Sequence, residues 1–195
     1  VFLPEARQRS AAARLAIAIA ASIAVAGCGE QDGESTHFPG TVAYDSPDGA
    51  YHFHYLSPPW IPVKLLGMAT PVFVVPPPEI TSVTSEADAP FSLRIEPVAA
   101  PAEQAIQERA RTLSPPLPAD RIRDVMSLTG GRAGQELSWQ EGSVFRREAY
   151  LAGAQAGSSF RLRFTAQRDI AADPMITQMI VSFEPHSSGV EVHSP

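Results

Sequence analysis

From Ser159 onward, the stretch Ser158-Ser159-Phe160-Arg161-Leu162-Arg163-Phe164-Thr165-Ala166-Gln167 alternates apolar and polar side chains. On an extended chain, Phe160, Leu162, Phe164 and Ala166 fall on one side and Arg161, Arg163, Thr165 and Gln167 on the other. That period of two is the pattern of a strand with one buried face. Two further strand-like runs precede it, around Gly134 to Gln140 and from Val144 to Leu151. They are separated by Glu141-Gly142 and by the glycine-rich Gly153 to Gly157. Three strands in succession, joined by short turn-forming breaks, predict an antiparallel meander.

Working outward, the same logic places further elements. Tyr51-His52-Phe53-His54-Tyr55 alternates aromatic residues with histidine after the turn signal Ser46-Pro47-Asp48-Gly49, so it reads as a half-buried strand. Val72-Phe73-Val74-Val75 is a short apolar strand stopped by Pro76-Pro77-Pro78. Phe91, Leu93 and Ile95 alternate with Ser92, Arg94 and Glu96, predicting another strand with one wet face. Helical spacing joins Ala102, Ala105, Ile106, Ala110 and Leu113 behind Pro101. A second helix opens at Asp173-Pro174, carries Ile176, Met179, Ile180 and Phe183 on one stripe, and closes at Pro185. Hairpins with two helices set apart from them predict an α+β domain over residues 41–185: an antiparallel sheet with helices packed on it. Residues 186–195 read as a disordered tail. The composition, 44% hydrophobic and 18% charged, fits one folded domain and excludes disorder throughout.

The order of these elements resembles a known family. It comprises an opening hairpin with Asp48-Gly49-Ala50-Tyr51-His52-Phe53-His54-Tyr55 followed by Pro59-Trp60, then a middle helix. Gly130-Gly131 leads into the three-strand meander, and a final helix ends in Met179-Ile180-Val181-Ser182-Phe183. Together they resemble the PsbP-like domain, the fold of the extrinsic oxygen-evolving subunit of photosystem II and of many small bacterial lipoproteins. The segment Tyr55-Leu56-Ser57-Pro58-Pro59-Trp60 is two residues longer than the family's usual tyrosine-proline approach to the tryptophan. The resemblance covers about residues 41 to 184. It implies an α/β/α sandwich and, for many members, a non-enzymatic accessory or binding role.

The N-terminal segment bears on location. Arg7, Arg9 and Arg14 precede Leu15 to Ala26, a run that is apolar except for Ser22. As a helix that run would span about 18 Å, short of the roughly 30 Å of bilayer hydrocarbon. Its length fits the apolar region of a signal peptide over residues 1–27. Ala24-Val25-Ala26 satisfies the cut site of the ordinary signal peptidase, which would release the protein. Val25-Ala26-Gly27-Cys28 resembles the lipobox of bacterial lipoproteins, an aliphatic residue and two small ones before a cysteine. That resemblance implies a diacylglyceryl thioether on Cys28. Cys28 is the one cysteine of the chain, and in an oxidising envelope an unpaired thiol is a liability unless modification consumes it.

Residues 28–40 follow as a flexible acidic tether, with Glu30, Asp32 and Glu34 among glycine and serine. Such a chain reaches about 20 Å, enough to hold a domain clear of the headgroups. Two acyl chains are what stable anchoring requires. The location expected is therefore the cell envelope, at the outer membrane or the outer leaflet of the inner membrane.

Charge and motifs narrow the function. The formal net charge is −6, and loss of residues 1–27, which hold three arginines and Glu5, takes it to about −8. That balance repels phosphate backbones, so nucleic acid is not expected as a partner. The partners expected are the membrane, through lipid on Cys28, and an envelope protein. The chain has no G-x-S-x-G, H-E-x-x-H, phosphate loop or second cysteine, so no catalytic residue and no cofactor is assigned.

His52 and His54 stand on one face of their strand with Cα atoms about 6.5–7 Å apart, a spacing some zinc sites use. A site needs further ligands, and the remaining histidines, His37, His186 and His193, lie toward the ends. The competing reading is two solvent-facing histidines opposite a Tyr51/Phe53/Tyr55 core face. Arg94, Arg146, Arg161 and Arg163 could gather to bind an anion, but Glu96 and Glu148 are equally placed to pair with them. Trp60 and Trp139 read as core. The function expected is a lipid-anchored, non-enzymatic accessory or binding protein. The alternatives are metal binding through His52 and His54, or an unrecognised hydrolase.

Overall fold

The alternating run from Ser159 forms strand β9 (Ser159–Ala166), antiparallel to β8 (Val144–Ala152), which pairs in turn with β7 (Ala133–Glu141). The computed structural model describes residues 38–78, 83–86, 89–126 and 133–186, all within the unit Thr36–Pro195. Residues 1–37, which hold the expected signal segment, Cys28 and the expected tether through His37, lie outside the described residues, as do Gly130-Gly131 and residues 187–195 with His193.

The turn between β7 and β8 is Gly142-Ser143, one residue later than the sequence break suggests, because Glu141 still pairs with Val144. Gly142 takes φ 62°, the left-handed sign that the first position of such a tight hairpin requires.

Seven described strands form the larger sheet in the order β3-β4-β5-β9-β8-β7-β6, where β3 is Ile61–Val63, β4 Val72–Val75, β5 Phe91–Val98 and β6 Arg123–Met126. A second sheet holds β1 (Thr41–Asp45), β2 (Tyr51–Leu56) and β10 (Glu184–Pro185) in the order β1-β2-β10. Every pairing is antiparallel. The two described α-helices are α1 (Ala102–Thr112) and α2 (Pro174–Val181), which makes the fold α+β.

Alternation decides which side of each strand is buried. Leu93, Ile95, Leu162, Phe164, Ala149 and Leu151 share a core with Tyr51, Phe53 and Tyr55 of the small sheet and with Ile176, Met179 and Ile180 of α2. Rings mesh across it: Phe53 meets Phe73 edge-on at 4.9 Å, and Tyr51 stacks on Phe183 at 5.2 Å. On the opposite face of the large sheet, Ile106 and Ala110 of α1 pack with Leu137 and Tyr150. Val72 and Val74 pack there with Leu65 and Ala89, while Phe73 between them joins the main core. This two-sided burial explains why β4 is apolar throughout.

Three expectations shift. The wet face predicted for β5 is half covered: Ser92 is buried, and Arg94 and Glu96 are held in ion pairs described below. Helix α2 ends at Val181, with Ser182 as its cap, and the chain then extends into β10 instead of remaining helical to Pro185. The folded domain begins before residue 41, since Phe38 is buried and its ring lies 5.0 Å from that of His54.

Candidate functional site

The alternation of β2 turns Tyr51, Phe53 and Tyr55 inward and leaves His52 and His54 on the outer face of the small sheet, half-buried. Register sets their neighbours: Asp45 of β1 and Glu184 of β10 both stand directly opposite His52, and Ala43 stands opposite His54. The two rings lie 6.1 Å apart with their planes at 73°, and each engages a different partner. Nδ1 of His54 is 3.1 Å from the Thr41 hydroxyl. Nδ1 of His52 is 2.9 Å from Nε2 of His186, and its Nε2 is 3.7 Å from Glu184.

His186, which the sequence reading consigns to the tail, is fixed by its N–H donating to the Ala50 carbonyl at 2.8 Å. The predicted His52/His54 pair is thus less close than His52/His186, which no sequence spacing reveals because 134 positions separate them. Among the described residues, no three His, Cys, Asp or Glu side chains converge on one point.

The arginine face resolves into ion pairs. Arg94 reaches Glu86 at 2.5 Å and Glu96 at 3.7 Å, and Arg163 reaches Glu86 at 3.7 Å. Arg161 holds Glu96 through two donors. Burial pushes the Glu96 carboxyl up, but the hydrogen bond and charge of Arg161, with Arg163 and Arg94 nearby, outweigh it and hold the group below its ordinary range. Burial likewise disfavours the Arg161 cation, yet Glu96, Tyr150 and Glu148 raise its pKa further still. Arg146 stands apart, bonded to Glu141 at 3.0 Å and to Thr165 at 3.3 Å. The four arginines therefore do not assemble a free anion site.

Glu148 is fully buried beside α1. One oxygen accepts from the Tyr150 hydroxyl at 2.9 Å and from Arg109 at 3.2 Å, and the other has no hydrogen-bond partner among the described residues. Burial first, and the neighbouring Glu148 charge second, raise the Tyr150 phenol well above its ordinary value.

A buried pair escaped the sequence reading. Arg147 sits in the inward phase of β8, in line with Ala149 and Leu151, and that misplaced charge is the signal that could have exposed it. It pairs with buried Glu136 and donates to Thr177 of α2 at 3.1 Å.

Several clefts open on the surface among the described residues. One of 570 Å³ lies between the proline-rich loop after α1 and the end of the meander, lined by Leu117, Pro118, Trp139, Phe145, Arg146 and Ile170 among others. Another, of 150 Å³, is lined mainly by Trp60, Phe91, Met175 and Ile176. Trp60 is core, as expected. Trp139 is only half-buried, with the Arg109 guanidinium 5.1 Å from its ring centre.

No family model and no curated protein matches the chain. A solved chain from Bacteroides thetaiotaomicron VPI-5482, a crystal structure at 1.50 Å resolution, is similar to it at a TM-score of 0.47 and 16% identity over 75% of this chain. The match covers 49% of that chain, so the protein spans about half the length of the structure it resembles.

Proposed function

We propose that the protein is a lipid-anchored, non-enzymatic accessory or binding protein of the bacterial cell envelope, tied to a membrane leaflet through Cys28. The observation that carries this reading is the order of arginines, a short apolar run and Val25-Ala26-Gly27-Cys28. The electrostatics support it. The chain is acidic, and Arg94, Arg146, Arg161 and Arg163 are engaged by carboxylates of the same fold, which leaves bilayer contact to lipid. Among the described residues no helix is long and apolar enough to cross a membrane. The order of opening hairpin, α1, meander and α2 supports the PsbP-like reading of the domain, and with it an output made by contact with another envelope protein.

Fractionation tests the anchor. The native protein should sediment with membranes and leave them only in detergent, while Cys28→Ser should appear in the soluble fraction. Equal partitioning of both would overturn the reading. Crosslinking in intact cells should then capture one reproducible envelope protein.

A further inference from the structure

We propose that His52 and His186 form a binding site for a divalent transition-metal ion on the outer face of the small sheet, clamping β10 to β2. The inference is independent of the lipid anchor.

The two ring nitrogens face each other at 2.9 Å. Nitrogens bound to zinc at about 2.0–2.1 Å in tetrahedral geometry lie about 3.3 Å apart. Ligation therefore asks for an opening of about 0.4 Å together with a turn of both rings that aims the two nitrogens at one point off the line between them, a motion open to the half-buried His52 and the exposed His186. Both acceptor nitrogens must then be free of protons. Glu184, 3.7 Å from Nε2 of His52, favours the tautomer of His52 that carries its proton on Nε2 and leaves Nδ1 open. The proton shared between the rings belongs in that case to Nε2 of His186, and it moves to Nδ1 of the same ring when the ion enters.

Local charge favours a cation. Asp45 and Glu184 flank His52 from the two neighbouring strands, directly opposite it in register. His186 is exposed, so an ion has access and water can fill its remaining positions. Two imidazoles with water suit zinc, which serves as the probe. The site differs from the His52/His54 strand pair, whose second histidine is turned to Thr41.

Zinc titration of the full chain by calorimetry should show one saturable site. His186→Gln and His52→Gln should each weaken it at least tenfold, whereas His54→Gln and a His37→Gln/His193→Gln double change should leave it within twofold. Zinc should raise the thermal unfolding midpoint of the native chain and leave that of His186→Gln unmoved. His186→Gln alters an exposed residue after the last described strand, so it carries the test even if His52→Gln fails to fold. Absence of saturable heat, native affinity in His186→Gln, or a loss in His54→Gln as large as in His186→Gln would each overturn the proposal.

Discussion

Arg147 on β8 donates through Nε at 2.9 Å and Nη2 at 2.6 Å to a single oxygen of Glu136 on β7, and both side chains are almost wholly buried. The same guanidinium bonds the Thr177 hydroxyl at 3.1 Å and the Asp173 carbonyl at 3.4 Å, so this pair fastens the start of α2 to the large sheet. Removing Arg147 leaves buried Glu136 with the exposed Arg123, 3.5 Å from its other oxygen, as its remaining cation, and removing Glu136 leaves Arg147 charged and buried. Arg147→Met should cost about 3–5 kcal/mol in urea unfolding, and adding Glu136→Leu should recover much of it. A single variant as stable as the native chain would contradict this role.

Asp173 caps α2. Its carboxylate accepts from the N–H groups of Met175 at 3.0 Å and Ile176 at 3.3 Å, ahead of Pro174 in the first turn. Asp173→Ala should lower stability by about 1 kcal/mol, with Asp173→Asn retaining most of it. Chemical denaturation of the three proteins checks the order.

Gly134 lies where β7 and β8 approach closely. A methyl group there would come within 2.5 Å of both the Leu151 side chain and the Tyr150 carbonyl oxygen, and the backbone cannot step aside as a flexible side chain could. Gly134→Ala should destabilise the domain by about 1–3 kcal/mol. A stability equal to the native value in thermal unfolding would show that the strands have room to part.

The Glu96 carboxyl is held below its ordinary value in the folded state, with burial opposing and Arg161 prevailing. A depressed folded pKa contributes stability above the unfolded value, and that contribution is lost as pH falls through the folded one. Unfolding followed from neutral pH downward should therefore show a loss on the acid side of the ordinary carboxylate range, and Glu96→Gln should make that limb shallower. Identical acid limbs would contradict the pairing with Arg161.

Local period made much of this fold legible. Tyr51 to Tyr55, Phe160 to Ala166 and the stripe Ile176, Met179, Ile180 each repeat at the spacing of their element, and each points its apolar members into the same core. Short strands lack that signal: Ile61–Val63 and Arg123–Met126 are edge strands with mostly exposed side chains, and β10 is two residues long. Ile61–Val63 and Arg123–Met126 are held by the next strand along the chain, and β10 by β2, a partner distant in sequence. The candidate site shows the same limit. His52 is visible from its strand, but His186 reaches it only because β10 returns along β2 after α2. Arg147 escaped notice for a related reason, since inward placement of a charge makes sense only once Glu136, diagonal to it on β7, is brought into reach.

Intact-mass spectrometry of the protein purified from its native membrane tests the central claim most directly. The account predicts a chain beginning at residue 28 and heavier than its sequence by a diacylglyceryl group, with the added mass on the peptide holding Cys28. A chain carrying a free thiol at Cys28, or one cut after Ala26 and recovered without detergent, would contradict it.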